Sequence, residues 1–300
     1  MCGIVGAIAE RNVVPVLMEG LRRLEYRGYD SAGLAVLSDG QLRRQRRQGK
    51  VAELQSALDA EPLSSHIGIA HTRWATHGVP SERNAHPHIS YDGLAIVHNG
   101  IIENHEQLRA ELKQLGYVFA SDTDTECIAH RIHHHLKTQP DLYAAVRATV
   151  AELHGAYALV VMSEADPGLL VLARCGCPVV VGLTDNGNFV ASDVSALLPV
   201  TRRFIFLEEG DVAEIRQTGV RVSDVNGQPV ERPEKLRELS ADAAEKGQYP
   251  HYMLKEIHEQ PRAVAQTLEE RVANGKLLEA AFGPAAGEVF ARVEAVHIVA

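Results

Sequence analysis

Short apolar runs alternate with amphipathic stretches along most of the chain, and each run indicates one element of secondary structure. Residues 4–9 are continuously apolar, as in a buried strand, and residues 13–24 repeat apolar positions with a helical period after a candidate N-cap, Asn12. Further strands are predicted at 34–37, 42–48, 66–72, 94–98, 156–162, 169–173, 179–183, 189–191, 202–207, 212–215 and 220–222. Further helices are predicted at 51–58, 103–115, 124–136 and 142–153.

Most of these strands follow one another too closely for the crossover helices that parallel strands require. Antiparallel pairing is therefore predicted, with the helices grouped elsewhere in the chain. The expected fold class is α+β, in which two antiparallel sheets pack face to face and helices cover their outer sides. No internal repeat and no low-complexity tract is visible in the sequence.

The composition of the sequence changes near residue 240. Residues 240–247 are small and polar, as in a linker. Residues 251–272 follow a mostly helical pattern with Pro261 as a kink or a restart, and residues 296–300 form an apolar run typical of a buried strand. The sequence thus predicts one domain over 1–239, a linker over 240–249, and over 250–300 the start of a second domain that this chain does not complete.

Composition and charge narrow the range of functions. The chain has 300 residues, of which 45% are hydrophobic and 23% charged, and its formal net charge of −9 argues against a general nucleic-acid binder. No signal pattern and no long apolar span is visible, so a cytoplasmic protein without membrane contact is expected. In that compartment Cys2, Cys127, Cys175 and Cys177 are expected to be reduced.

Fifteen histidines raise the question of a metal site. His130, His133, His134 and His135 fall in one predicted helix, where His130 and His134 would share a face. No Glu-x-x-His zinc pattern accompanies them, and a chelating pair needs further ligands. Solvated or helix-packing histidines are therefore the preferred interpretation, and no metal is predicted.

Cys2 is the residue on which the predicted chemistry depends. Removal of Met1 would leave Cys2 with a thiol and a free α-amine on one Cα, so that a single residue holds a nucleophile and a base. The ordinary pKa values, about 8.5 for a thiol and about 7.7–8.0 for an α-amine, allow the amine to take the thiol proton near neutral pH. Position alone leaves a second interpretation open, a buried free cysteine that starts a strand.

Five motifs that occur together and in order favour the catalytic interpretation. They are Met1-Cys2-Gly3-Ile4-Val5-Gly6, Tyr26-Arg27-Gly28-Tyr29-Asp30-Ser31-Ala32-Gly33, His71-Thr72-Arg73-Trp74-Ala75-Thr76-His77-Gly78, His98-Asn99-Gly100-Ile101-Ile102-Glu103-Asn104 and Ser121-Asp122-Thr123-Asp124-Thr125-Glu126. Together they resemble the glutaminase domain of the glutamine–fructose-6-phosphate aminotransferase family, whose members belong to the N-terminal-nucleophile amidotransferases. Segments 202–211 and 251–261 also match, so the resemblance extends over the whole chain.

The resemblance implies a four-layer α-β-β-α fold of the N-terminal-nucleophile hydrolase, class II amidotransferase type, followed by a linker and a sugar isomerase (SIS) domain. It implies hydrolysis of L-glutamine to L-glutamate and ammonia through a thioester on Cys2. In a full-length enzyme the ammonia would convert fructose 6-phosphate to glucosamine 6-phosphate, in amino-sugar biosynthesis, without a metal or organic cofactor. The full-length enzyme is expected to be a homodimer and the isolated chain a monomer.

The resemblance assigns the catalytic roles to three residues. Cys2 is the nucleophile, and the Asn99 side-chain amide and the Gly100 backbone N–H form the oxyanion hole. Arg27 is counted among the substrate-binding residues and is expected to brace the nucleophile. Taken alone, the pair Asn99-Gly100 would instead predict a hairpin turn.

Recognition of glutamine is assigned to five further residues. By resemblance, Arg73 binds the α-carboxylate, for which a planar guanidinium is suited, and the backbone around Thr76 and His77 assists. Asp124 binds the α-ammonium, and Trp74 lies on a loop that closes over the substrate. Taken alone, these residues have other interpretations: a surface salt bridge for Arg73, a helix N-cap for Asp124 and a core position for Trp74.

Other functions stay open at the level of sequence. The glutaminase domain of a purine-pathway, amidophosphoribosyltransferase-like enzyme would share the fold, although the segment after Arg237 matches the sugar enzymes better. A non-catalytic binding module and a metal-binding helical protein are alternatives from other classes. A glutaminase assay with and without a chelator distinguishes all of them.

Overall fold

The structure is a computed structural model that describes residues 2–236, 249–268, 272–273, 276–277, 286–295 and 297. Contacts divide the chain into two compact units, residues 1–244 and 245–300. The strands of the first unit are β1 (Gly3–Ala9), β2 (Ser31–Ser38), β3 (Gln41–Gln48), β4 (Ile67–Arg73), β5 (His88–Ser90), β6 (Leu94–Ile102), β7 (Gly155–Ser163), β8 (Asp166–Cys175), β9 (Val180–Thr184), β10 (Gly187–Ala191), β11 (Arg203–Phe206), β12 (Val212–Arg216), β13 (Gly219–Ser223), β14 (Pro229–Val230) and β15 (Glu234–Leu236). Its helices are α1 (Val14–Leu24), α2 (Val51–Ala60), α3 (His105–Gln114), α4 (Asp124–Leu136) and α5 (Leu142–Val150), with 3₁₀ turns at Glu25–Arg27 and Val194–Ala196.

Two sheets form the framework of the first unit. The strand order of one is β15-β11-β9-β10-β1-β4-β2-β3, and that of the other is β14-β13-β12-β8-β7-β6-β5. Neighbouring strands pair antiparallel throughout both sheets. The predicted α+β class with two antiparallel sheets is confirmed.

Apolar side chains separate the elements into four layers. Between the sheets, Ile4 and Ile8 of β1 pack in one cluster with Val97 of β6 and Val160 of β7. The outer face of the first sheet packs on α1 and α2, and the outer face of the second packs on α3, α4 and α5. The layers therefore follow the order helix, sheet, sheet, helix, as the family resemblance implied.

The position of β1 explains its unbroken apolar sequence. Strands β10 and β4 pair with its two edges. Ile4 and Ile8 contribute to the core between the sheets, whereas Val5 and Ala7 contribute to the core under the helices, as the two-residue period of a strand requires. A strand that is buried on both faces and paired on both edges is held rigidly, and Cys2 directly precedes it.

Some details differ from the predictions. Strands β5, β14 and β15 have only two or three residues, too few for a two-residue period to appear in the sequence. The N-cap of α1 is Val13 and not Asn12. The Asn12 side chain still serves the start of the helix, because its Oδ1 accepts the N–H groups of Val14 at 3.2 Å and Ser65 at 3.1 Å.

The second unit contains α6 (Tyr252–Leu268), β16 (Val272–Ala273), β17 (Lys276–Leu277) and α7 (Ala286–Arg292), and β16 pairs antiparallel with β17. Helix α6 continues through Pro261, so the alternative of a helix restart there is wrong. The predicted linker 240–249 and the predicted strand 296–300 lie almost wholly outside the described residues. Within the described part of the chain, no helix has the length and apolarity needed to cross a membrane.

Candidate active site

Cys2 lies at the start of β1, where the neighbouring strand comes very close. Gly3 is paired with Thr72 of β4, and a Cβ at Gly3 would lie 2.6 Å from Thr72 Oγ1 and 2.8 Å from a Leu24 methyl group. Only glycine fits this position without displacement of its neighbours. The sequence Cys-Gly therefore lets the half-buried Cys2 side chain lie directly against the end of β4.

The backbone of Trp74 holds the Cys2 thiol. The Trp74 N–H donates a hydrogen bond to Cys2 Sγ at 3.2 Å, and the Trp74 carbonyl oxygen lies 3.6 Å from the same sulfur. Burial raises the pKa of the Cys2 thiol, and the bond from the Trp74 N–H opposes that rise. A thiol in this environment stays protonated near neutral pH unless a base removes its proton.

Arg27 links Cys2 to the end of β10. One guanidinium nitrogen, Nη1, donates to the Cys2 carbonyl at 3.4 Å and to Ser192 Oγ at 3.3 Å. The other, Nη2, donates to the Ser192 carbonyl at 3.3 Å and to the Asp193 carboxylate at 2.8 Å. The Tyr26 hydroxyl donates to the same carboxylate at 2.9 Å. This arrangement fixes the backbone of Cys2, which is the geometry expected of a bracing residue.

Asn99 and Gly100 lie inside β6, opposite Ala158 and Tyr157 of β7, so the hairpin-turn interpretation is wrong. The Asn99 side-chain Nδ2 donates to the Cys2 carbonyl at 3.3 Å. Gly100 has φ +123°, and a Cβ there would lie 1.9 Å from a backbone oxygen of β7. The strand thus places a carboxamide beside Cys2 and requires glycine at the next position.

Arg73 ends β4 and lies beneath the loop 74–78. Its side chain is 3% exposed, which excludes a surface salt bridge. Nη2 donates to the backbone carbonyls of His77 and, at 2.8 Å, Gly78. Nη1 lies 3.8 Å from the Asp30 carboxylate and makes no hydrogen bond with the described residues. The loop above is exposed: Trp74 is 55% accessible, so the core interpretation of Trp74 is wrong.

Asp124 is the first residue of α4, and the N-cap is Thr123. The interpretation of Asp124 as the N-cap is therefore wrong by one residue. The Asp124 carboxylate accepts the backbone N–H of Ile102 at 2.9 Å and that of Thr125 at 2.9 Å. It lies 3.9 Å from Nδ1 of His77. His77 therefore contacts both charged residues: its ring lies near Asp124, and its backbone carbonyl accepts a hydrogen bond from Arg73.

A cavity of about 360 Å³ opens beside the thiol. Six of the nine predicted site residues line it: Cys2, Arg27, Trp74, Thr76, Asn99 and Gly100. Arg73, His77 and Asp124 are not among the lining residues; His77 contacts Arg73 through its backbone carbonyl and lies 3.9 Å from the Asp124 carboxylate through its ring. The structure thus divides the predicted residues into those that line the cavity and a second group that holds the charged side chains of Arg73 and Asp124.

The structure also brings in residues that the sequence analysis did not identify. Ser192 and Asp193 hold Arg27, and His71 contacts the Asn99 side chain. The other residues that line the cavity are Ile101, Cys177 and Pro178. Ser192 and Asp193 lie more than 160 positions from Arg27, in a stretch without a motif. His71 did stand within a recognised motif, so its position beside Arg73 was an available signal.

The histidines of α4 form packing and hydrogen-bond contacts. His130 Nδ1 lies 2.8 Å from Ser90 Oγ, and its Nε2 lies 3.2 Å from the Val118 carbonyl. His133 lies 2.7 Å from the Tyr117 hydroxyl. In the described ranges, no group of three or more histidine, cysteine or acidic side chains is placed to hold a metal ion.

Comparison with known proteins shows what this chain is similar to. Residues 71–199 match the glutamine amidotransferase domain family. The chain contains a glutamine amidotransferase domain. The whole chain is 60% identical to a glutamine–fructose-6-phosphate aminotransferase of Pseudomonas syringae pathovar tomato, and 59% identical to that of Shewanella oneidensis. Each match covers 49% of the relative, so the chain spans about half the length of the curated relatives it matches.

Solved structures show the fold of the amidotransferase domain. A glutamine phosphoribosylpyrophosphate amidotransferase of B. subtilis is 27% identical with a TM-score of 0.65, over 74% of this chain and 49% of that one. A glutamine aminotransferase class-II domain protein of Silicibacter pomeroyi has the same fold, with a TM-score of 0.51 over 74% of this chain and 99% of that one, at 17% identity. A structure described as the allosteric regulatory enzyme of purine biosynthesis matches equally well, with a TM-score of 0.65 at 27% identity, so it is a neighbour in fold. The resemblance drawn from the five motifs is confirmed.

Proposed function

We propose that this chain hydrolyses L-glutamine to L-glutamate and ammonia, with Cys2 as the nucleophile. The observation that carries the proposal is the meeting of the Cys2 thiol and the Asn99 amide at one cavity, at the end of a strand buried on both faces. Met1 lies outside the described residues, and the mechanism requires its removal.

In the proposed reaction, the Cys2 α-amine takes the thiol proton, and the thiolate attacks the amide carbon of the glutamine side chain. Asn99 Nδ2–H and the Gly100 N–H stabilise the negative oxygen, each donor contributing about 2.7–4 kcal/mol. Collapse of the intermediate releases ammonia with the proton that the amine held. Water then hydrolyses the γ-glutamyl thioester, which gives glutamate and restores the thiol.

Recognition of the amino-acid end of glutamine is proposed for the group formed by Arg73, His77 and Asp124. Arg73 Nη1 is a buried donor that forms no hydrogen bond in the described part of the chain, so it is available to a carboxylate. Its Nη2 holds the loop carbonyls of His77 and Gly78, so Nη1 is the donor proposed for the substrate carboxylate. The buried Asp124 carboxylate would pair with the α-ammonium, assisted by the backbone near Thr76.

The wider reaction is proposed from the relatives, which are named glutamine–fructose-6-phosphate aminotransferases. In a protein of their length, the ammonia released at Cys2 would convert fructose 6-phosphate to glucosamine 6-phosphate. Residues 250–300 would then begin a sugar isomerase domain, and the longer protein would form a homodimer. None of these steps requires a metal or an organic cofactor.

The test of the glutaminase uses a removable N-terminal extension that a protease cuts directly before Cys2. Glutamate release should be absent before cleavage and present after it, because only cleavage produces the free α-amine. Intact mass verifies each N-terminus. A matched variant that retains one alanine before Cys2 after cleavage keeps the thiol but displaces the amine, and it should stay inactive.

Two outcomes contradict the proposal in different ways. Equal glutamate release before and after cleavage would show that the α-amine is not the base. No release from any form, with glutamine binding intact, would support a non-catalytic binding module. A Cys2→Ala variant cleaved in the same way gives the background rate.

A further inference from the structure

A histidine stands directly behind the proposed oxyanion donor. His71 lies on β4 and is completely buried, and its Nε2 lies 3.0 Å from Asn99 Oδ1. On the other side, Asn99 Nδ2 lies 3.3 Å from the Cys2 carbonyl oxygen. The Asn99 carboxamide therefore lies between His71 and the Cys2 carbonyl. Both contacts determine whether its nitrogen or its oxygen faces Cys2.

The two contacts define the orientation of the amide. A carboxamide has one accepting oxygen and one donating NH₂ group. If Asn99 were turned over, its Oδ1 would face the Cys2 carbonyl oxygen, and two acceptors would repel each other. With Nδ2 toward Cys2, Oδ1 faces His71 and needs a donor, so His71 must carry its proton on Nε2.

The surroundings keep that ring neutral and immobile. Burial lowers the pKa of His71 to about 3, so the imidazole carries a single N–H near neutral pH. The His86 ring packs against it with a centroid distance of 4.2 Å. His86 Nε2 in turn lies 2.8 Å from Thr125 Oγ1 on α4. The donor behind Asn99 is therefore an uncharged group fixed by packing.

We propose that His71 is a positioning residue that donates its Nε2–H to Asn99 Oδ1 and so keeps the Asn99 NH₂ group directed at the reacting carbonyl oxygen. The inference rests on the proposed function, because it gives His71 a role only through the oxyanion hole. Without that donor the Asn99 amide can turn over. In part of the molecules Oδ1 would then face the oxyanion and repel it.

A double-mutant cycle between residues 71 and 99 tests the inference. Asn99→Ala should lower the glutaminase kcat on the order of a hundredfold. His71→Leu should lower kcat about tenfold with little change in KM, because the amide contributes mainly in the transition state. In the Asn99→Ala background, His71→Leu should cause no further loss of kcat beyond about twofold, since the group that it positions is absent.

Two control variants separate positioning from loss of stability. His71→Gln offers a side-chain N–H to Asn99 and should restore kcat to within about threefold of the parent. His88→Leu removes an equally buried histidine that bonds Thr123 and does not touch Asn99, so it should lower the thermal midpoint without the drop in kcat. Thermal midpoints of all variants are measured in parallel.

The possible failures are distinguishable. If Asn99→Ala keeps the parent kcat, the proposed oxyanion assignment is wrong, whatever His71 does. If Asn99→Ala loses kcat but the His71→Leu loss adds to it in full, His71 acts independently of Asn99 and the inference is overturned. A kcat loss in His88→Leu equal to that in His71→Leu would also overturn it.

Discussion

Single side chains in this site perform two tasks at once. The Arg73 guanidinium binds the backbone carbonyls of His77 and Gly78 in the present structure, and it is the proposed partner of the substrate carboxylate. A planar guanidinium can serve both because its donors point in fixed, separate directions. An ammonium group is a point charge and cannot hold the loop and a carboxylate in the same way.

Arg73→Lys is therefore expected to weaken glutamine binding. KM should rise about tenfold or more while kcat changes less, because the α-carboxylate is bound equally in the ground state and the transition state. Steady-state kinetics of glutamate release measure the effect. A variant with unchanged KM and a reduced kcat would contradict the assignment.

Arg46→Lys is the matched control for that variant. Arg46 also donates from its guanidinium to loop carbonyls, those of Arg83 at 3.1 Å and Ala85 at 2.8 Å, but it does not line the cavity. Its replacement should leave KM for glutamine unchanged. A similar rise in KM for both variants would indicate a general disturbance of the loops and not a lost substrate contact.

At the level of elements, the loop 74–78 connects Cys2 to the guanidinium of Arg73. Its first residue binds the Cys2 sulfur through a backbone N–H, and its last residues accept hydrogen bonds from Arg73. Gly28 approaches the Trp74 ring so closely that a Cβ there would lie 2.9 Å from it. An exposed loop anchored at both ends on site residues is suited to close over a ligand.

Trp74 should report that closure, since the chain contains one tryptophan. In a Cys2→Ala variant, which cannot turn over, glutamine should shift the tryptophan emission to shorter wavelength as the 55% exposed ring becomes drier. The shift should saturate with binding measured by calorimetry, and Arg73→Ala should weaken it. D-glutamine at the same concentrations serves as the control ligand. An emission maximum that stays unchanged at saturating L-glutamine would show that the loop does not close over the substrate.

For the whole molecule, the residues of the proposed glutaminase all belong to the first compact unit. Both sheets and every residue around the cavity fall within residues 1–244. The boundary predicted between 239 and 240 stays a prediction, because the adjoining residues are not described. Among the residues that the structure describes, those that line the cavity all belong to the first unit.

A chain that ends at Ala244 should therefore keep the glutaminase kcat of the 300-residue chain to within about twofold, since no proposed catalytic group is removed. Neither chain should form glucosamine 6-phosphate from fructose 6-phosphate, because the relatives named for that reaction are about twice as long. Glutamate and amino-sugar assays on both chains measure this. Loss of glutamate release on truncation would show that the second unit supports the site.

Local patterns in the sequence were sufficient to predict the longer helices and strands and the class of chemistry. The apolar run of β1 and the helical periods of α1, α2, α4 and α5 predicted these elements because burial on a given face repeats with the period of each structure. The motif around Cys2, with four other motifs in order, predicted the amidotransferase. The short strands β5, β14 and β15 were not predicted, because two or three residues are too few to show a period.

Only the tertiary structure decided how the site is assembled. Asn99-Gly100 reads as a turn in isolation, and its place inside β6 follows from pairing with β7, some 60 residues away. The brace of Arg27 by Asp193 and the contact of His71 with Asn99 arise where distant strands meet. Such contacts depend on sheet order and register, which bring together residues that no local period relates. The sequence therefore determined which groups are present, and the packing of the two sheets determined which of them lie beside Cys2.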